Sequence, residues 1–189
     1  MTAIDAFFRQ AGVDLAVRAC RMALRESGCT AADITHTVAV TATNQGCPGY
    51  DVLVASKLGL SPTVDSSLLQ GVGCSGGLSL MRAAANAAGA EAARGRPARV
   101  LAYTCEICTA ALRYDLAAAA EAGADLSAIS PAATMLSDGA AAFLLCNDMG
   151  REGLVRAGDR DCLQLLDWRH MVVPHTHADV GFFADPNGM

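Results

Sequence analysis

Cys74 is the residue of this sequence best placed for covalent chemistry. It stands in the run Gln70-Gly-Val-Gly-Cys-Ser-Gly-Gly-Leu-Ser-Leu-Met-Arg82, with Gly71, Gly73, Gly76 and Gly77 around it. Those glycines let the chain turn sharply and leave the cysteine uncrowded. The alanine-rich run that follows, to Ala93, reads as a helix, with Leu78, Met81, Ala85, Ala88 and Ala92 recurring at helical spacing. Cys74 is therefore expected near a helix N-terminus, where the dipole and free N–H groups favour a thiolate. A thiolate is a strong nucleophile. Most intracellular cysteines serve only packing; the flanking glycines and the helix mouth set Cys74 apart.

Other residues invite chemistry less strongly. Cys105-Glu-Ile-Cys108 is a Cys-x-x-Cys, but no second pair accompanies it and Cys105 ends an apolar strand, so neither a redox pair nor a zinc site is expected. His175 and His177, near Asp179, read as a polar surface loop rather than a metal site. Asp138-Gly139 reads as a turn that supports the site, since aspartate commonly starts turns by bonding its own backbone. Glu106 is expected as an anchor for the Cys74 loop rather than its base, because a carboxylate beside a thiolate would raise the thiol pKa.

The chain of 189 residues suits a single domain spanning 1–189. It is 52% hydrophobic and 17% charged, its net charge is −5, and Lys57 is its only lysine. No basic patch suggests nucleic acid as a partner. The alanine-rich helix carries Arg82, Asn86, Glu91 and Arg94, so it is a core helix rather than a membrane span. No secretion signal is read at the N-terminus. Of the eight cysteines, Cys20 sits in a helical pattern and Cys105 and Cys146 in strand-like apolar runs, which suits a cytoplasmic protein with reduced thiols better than a disulfide scaffold.

These features need elements to position them. Met1 to Gln10 shows no clear boundary. From Val13 a helix is expected, with Leu15, Ala16, Ala19, Cys20, Ala23 and Leu24 as its apolar stripe, ending at Ser27-Gly28. A strand follows over His36 to Ala42, then a loop and a helix from about Tyr50 to Leu58. Leu60 to Leu69 supplies a second strand-like piece. After the long helix, Arg99 to Cys105 is apolar at nearly every position, as a buried central strand would be. Glu106 to Tyr114 reads as irregular, Asp115 to Gly123 as a short helix and Ala140 to Cys146 as a fourth strand. Asp148 to Gly153 reads as a turn, Leu154 to Trp168 as a long strand and His170 to Met189 as a loop-like tail. Helices alternating with apolar strands predict a layered α/β domain.

Four motifs in order carry a resemblance to a known family. They are Thr41-Ala-Thr43 followed by Pro48-Gly-Tyr-Asp51; Gly73-Cys-Ser-Gly-Gly77; Ala98-Arg-Val-Leu101 running to Cys105-Glu106; and Leu136-Ser-Asp-Gly-Ala-Ala-Ala142. Together they resemble the type III polyketide synthases, the chalcone and stilbene synthase family of the thiolase fold. The match runs from about Leu15 to Asp148. It implies a thiolase-like α/β/α fold, of which this chain is one half, of the family's N-terminal type. It also implies an acyltransferase that needs no cofactor and uses acyl-CoA and malonyl-CoA as substrates. Cys74 would take the acyl group from the thioester. The carbanion from decarboxylated malonyl-CoA would then attack it, and repetition would build a short polyketide.

The same resemblance assigns a substrate pocket to Ala42, Thr43, Cys47, Cys108, Ala111 and Leu136. Cys108 and Ala111 stand where plant members carry threonines. Leu136 replaces a bulky phenylalanine, and Ala42 a frequent threonine. Smaller apolar side chains leave room for longer or fatty starters, a pattern closer to bacterial and fungal members. Cys47, beside Pro48, falls where the family reaches into a partner's pocket, which implies a homodimer. The family's catalytic histidine and asparagine come from its C-terminal half and its CoA-gripping basic residues lie largely upstream of Met1, so this chain reads as a middle portion that would not turn over alone. His36, His170, His175 and His177 lie outside the family's histidine motif.

Two other functions stay open on sequence. One is a non-catalytic thiolase-fold subunit that dimerises with or modulates an intact synthase. The other is a ketoacyl synthase III-like condensing enzyme that uses an acyl-carrier protein, since its nucleophile turn is similar.

Overall fold

The computed structural model describes residues 3–121, 123, 129, 134–152, 154 and 163–179, with the side chains of 110 and 111 excepted. They fall into two compact units. The first comprises Met1–Glu106 and Gly139–Leu163, the second Ile107–Asp138 and Gln164–Met189.

The first unit is built on a four-stranded sheet in the order β2-β1-β3-β4. The strands are β1 (His36–Val40), β2 (Asp65–Leu69), β3 (Arg99–Glu106) and β4 (Gly139–Cys146). β1 pairs in parallel with both β2 and β3, with Val40 opposite Leu69 and Thr104. β4 runs antiparallel to β3 and pairs Glu106 with Gly139. Val38, Val40, Val100 and Ala102 project from one face, where α4 (Gly76–Ala93) buries Leu80, Ala84 and Ala88 against them. Burying a leucine such as Leu80 contributes about 2 kcal/mol. The opposite face meets α2 (Val13–Ser27) and α3 (Tyr50–Leu58). There the Cys105 thiol donates to the Gly12 carbonyl at 3.2 Å. Tyr50 lies edge-on to Phe8 and Tyr103 and donates its hydroxyl to the Val40 carbonyl at 2.8 Å. Helix, sheet and helix thus make the layered α/β arrangement that the alternation predicts.

α2 ends where the sequence places its end, at Gly28 with φ 69°. Its buried stripe includes Val17, while Leu15 and Ala19 are only half-buried. Ahead of it, α1 (Ala3–Phe7) continues through a π-helical turn, Phe8–Gly12. β1 stops at Val40 rather than Ala42, because the Ala42 and Thr43 N–H groups turn away to Glu106. β2 begins only at Asp65. Pro62 has no N–H to donate, and the Val64 N–H closes a turn onto the Ser61 carbonyl at 3.1 Å.

Of the stripe expected on the alanine-rich α4, Ala85 and Ala88 are buried, while Leu78, Met81 and Ala92 are not. Leu80, Ala84, Ala88 and Glu91 pack inward, while Leu78 is 75% exposed and Met81 is 37% exposed. With alanine on every side, hydrophobic spacing alone does not single out the buried stripe. Glu91 is held by Arg94 at 2.7 Å and Arg96 at 2.8 Å, and the hydrogen bond from Arg94 in particular holds its carboxyl below the usual range.

β4 leads into α6 (Asp148–Arg151), a short helix where a turn is expected. Asn147 caps it, accepting the Gly150 N–H at 2.7 Å. The same carboxamide accepts the Ala98 N–H at 3.0 Å and donates to the Arg96 carbonyl at 2.8 Å. A side chain added at Gly150 would run into the Ala98 carbonyl.

In the second unit, α5 (Thr109–Glu121) begins well before the expected Asp115. Asp138 explains the difference. Its carboxylate accepts the Thr109 N–H at 2.9 Å and the Thr109 hydroxyl at 2.7 Å. A cap supplied from so far along the chain satisfies the free first-turn donors and the dipole. The strand expected over Leu154 to Trp168 lies partly outside the described residues, at 155–162. Leu163 to Trp168 forms neither helix nor strand. No helix among the described residues is long and apolar enough to cross a membrane.

Candidate active site

β2 delivers the chain to the Cys74 turn. Gly71 and Gly73 have φ of 71° and 53°, left-handed values that a side chain would strain. Gly73–Ser75 forms one 3-10 turn and α4 begins at Gly76, so Cys74 stands at the helix mouth. The Ser75 hydroxyl turns back to the Val72 carbonyl at 2.6 Å and gives α4 no side-chain cap. The partial positive charge of the first turn is therefore not neutralised by a side-chain acceptor.

Cys74 is exposed and lines a cavity of about 360 Å³. Leu78, Met81, Ala141 and Phe143 make most of its wall, with Thr104 as a polar neighbour. The concavity is open to solvent and its lining is mainly apolar. The thiol thus opens onto an apolar concavity, the setting in which a nucleophile meets an acyl group.

Glu106 does not anchor the Cys74 loop. It clamps the turn after β1 instead. Its Oε1 accepts the Ala42 N–H at 2.9 Å, and its Oε2 accepts the Thr43 N–H at 3.1 Å and the Thr43 hydroxyl at 2.9 Å. Thr41 adds a longer bond of 3.3 Å. The carboxylate acts as a structural acceptor and leaves no clear role as a base.

Of the residues expected in the pocket, Ala42 and Thr43 are half-buried in this clamped turn. Cys47 is exposed beside Pro48 in the loop that follows. Neither they nor Cys47 line the cavity at Cys74. Cys108, Ala111 and Leu136 belong to the second unit. There Cys108 is half-buried and accepts the Leu112 N–H on its carbonyl, Ala111 lies in α5, and Leu136 is 45% exposed. His175 and His177 are exposed in a turn-rich segment, and Cys105 is fully buried in β3.

Sequence reasoning misses the residues that brace the Cys47 loop. Asp5 accepts the Asn44 carboxamide at 2.8 Å and pairs with Arg9 at 3.1 Å. Arg9 also donates to the Pro48 carbonyl at 2.9 Å. Gln70 donates to the Asn44 carbonyl at 3.1 Å, which ties this loop to the approach to Cys74. The only local sign was the charged pair at helical spacing, Asp5 and Arg9.

The sequence model described as "Chalcone and stilbene synthases, N-terminal domain" matches residues 2–149. A type III polyketide synthase, pspB, from Penicillium soppii is 48% identical over 96% of this chain and 45% of its own length. An acylalkylpyrone synthase, csyB, from Aspergillus oryzae is 36% identical over 78% of this chain and 36% of its own. Among solved structures, a type III pentaketide synthase from Neurospora crassa superposes with a TM-score of 0.85 at 38% identity, covering 98% of this chain and 47% of that one. The chain therefore spans about half the length of the relatives it matches, and its mixed α/β architecture is that of their thiolase-like fold.

Proposed function

This chain belongs to the chalcone and stilbene synthase family, and on that premise we propose that it is the acyl-carrying part of a type III polyketide synthase. The single observation that carries the reading is the placement of Cys74, exposed at the uncapped mouth of α4 and opening onto an apolar cavity.

In this reading the Cys74 thiolate attacks the thioester carbonyl of an acyl-CoA. The carbon–sulfur bond to CoA breaks, CoA leaves as its thiolate, and a new thioester forms on Cys74. Malonyl-CoA then loses carbon dioxide. The electron pair released becomes the carbanion that attacks the acyl carbon, freeing Cys74 with the extended chain on CoA. A covalent thioester keeps the acyl carbon electrophilic between steps. Leu78, Met81 and Phe143 favour an apolar acyl chain, in keeping with a relative named for making acylalkylpyrones. Ala42, Thr43 and Cys47, beyond the cavity at Cys74, and separately Cys108, Ala111 and Leu136 of the second unit, are the positions at which family resemblance places substrate contacts. The protein works as a homodimer in the cytoplasm, with Cys47 facing the partner.

Intact-mass spectrometry of the full gene product after incubation with a medium-chain acyl-CoA tests the reading. A mass gain equal to one acyl group, absent from Cys74→Ala, is expected. No adduct, or an adduct that survives Cys74→Ala, overturns it.

A further inference from the structure

We propose that Val40 and Gly76 form a steric pin that sets where Cys74 stands, so that Gly76 is a positioning residue for the thiol. Its consequence for catalysis rests on the acyl-carrier reading above; the pin itself does not. Gly76 is buried, is the first residue of α4, and follows Cys74 by two positions. Its φ of −53° and ψ of −44° are ordinary helix, which any L-residue adopts. Backbone freedom therefore does not require glycine here.

Space does. A Cβ on Gly76 would stand 3.0 Å from Val40 Cγ2, 3.5 Å from Val40 Cγ1 and 3.7 Å from Val72 Cγ2. Carbon atoms pack best at about 3.5–4.0 Å, so one of the two elements would have to give. Val40 is poorly placed to do so. It is 1% exposed, stiff at its branched Cβ, and its carbonyl is held by the Tyr50 hydroxyl at 2.8 Å. Tyr50 is itself wedged between Phe8 and Tyr103. The turn on the other side is lighter, closed by the Gly76 N–H on the Gly73 carbonyl and by Ser75 on Val72. A methyl group at 76 therefore moves the first turn of α4 and carries Cys74 with it. The other glycines of α4 face open space, with nothing within 4 Å of a Cβ at Gly77 or Gly89.

The test is the rate of iodoacetamide alkylation at Cys74 in the folded full chain, followed by peptide mass mapping across pH, with Cys47 as the internal reference. Gly76→Ala should slow Cys74 roughly threefold or more, because the shifted turn moves the thiol from its place beside the cavity. Gly89→Ala should change nothing, and Cys47 should react at its usual rate throughout. The double variant Val40→Ala/Gly76→Ala removes the wall and should restore Cys74. Folded Gly76→Ala with an unchanged Cys74 rate overturns the pin, as does a double variant that stays slow. If Gly76→Ala does not fold, the double variant decides: folded with a wild-type Cys74 rate supports the pin, and slow or unfolded sinks it. Alkylation needs no acyl-CoA, so a failure of acyl loading counts against the acyl-carrier reading and leaves this one standing.

Discussion

Thr43 bonds Glu106 twice, through its N–H at 3.1 Å and its hydroxyl at 2.9 Å, both to the same carboxylate oxygen. With Ala42 on the other oxygen, the carboxylate closes the exit from β1. An amide in its place offers one acceptor and turns an NH₂ toward backbone donors. Glu106→Gln should therefore cost about 1 kcal/mol, the lower end of the penalty for stranding a donor, because Ala42 and Thr43 are only half-buried. Urea unfolding of the full chain checks this, and a variant as stable as the parent would show that the clamp contributes nothing.

Asn147 joins three segments, the approach to β3 at Ala98, the loop after α4 at Arg96 and the first turn of α6. A lost N-cap alone costs about 1 kcal/mol. Asn147→Ala also strands the Ala98 N–H, so a loss of about 2–3 kcal/mol is expected. Gly150→Ala should be destabilising by about 1–3 kcal/mol, because its methyl meets the Ala98 carbonyl and backbone yields poorly. Thermal melts of both variants read the effects directly.

Burial pushes the Cys20 thiol up to about 12. At pH 8 it is fully protonated in the folded protein, while an unfolded cysteine ionises near pH 8.5. Alkylation at pH 8 should therefore label the exposed Cys47 and Cys74 early and leave Cys20 untouched until denaturant is added. Labelling of Cys20 at the rate of Cys47 in the native protein would contradict this burial. The sign for stability follows. A group with a raised folded pKa contributes fully below its unfolded pKa, and the contribution is lost as pH rises toward the folded value. Alkaline unfolding should therefore be eased in the parent more than in Cys20→Ala.

Glu91 titrates in the opposite sense. Its folded pKa is lowered, chiefly by the hydrogen bond from Arg94, so its contribution is present above the ordinary carboxylate range and lost as pH falls through the lowered value. Asp33 is lowered likewise by Thr30. Urea midpoints measured from pH 6 down to pH 3 should fall more steeply for the parent than for Glu91→Gln. Parallel curves would show that the pair with Arg94 does not couple to folding.

Local signals in the chain were enough for much of the scaffold. Gly28 and Gly59 end their helices in the left-handed conformation, as glycines just past a helical pattern should. β3 is buried at Val100 to Tyr103, as its unbroken apolar run requires. The glycines around Cys74 announced its turn. What stayed hidden was set by partners distant in sequence. α5 starts early because Asp138 caps it from beyond the helix, and β1 stops early because Glu106 draws off its last N–H groups. The inward face of α4 was legible only at Ala85 and Ala88, since alanines on all sides erase the contrast from which a helical stripe is read.

β1, β2 and β3 run parallel, so Val40, Leu69 and Glu106 all finish on one rim of the sheet. That is the rim where open α/β sheets place their ligands. The opposite rim, where His36, Asp65 and Arg99 begin, holds structural ties such as Arg99 to the Gly150 carbonyl at 2.7 Å and to Asp33 at 3.5 Å. Evolution can therefore bargain with the two rims separately. Changes among the loops of the finishing rim need not disturb the ties of the starting rim, so either can vary without rebuilding the sheet between them.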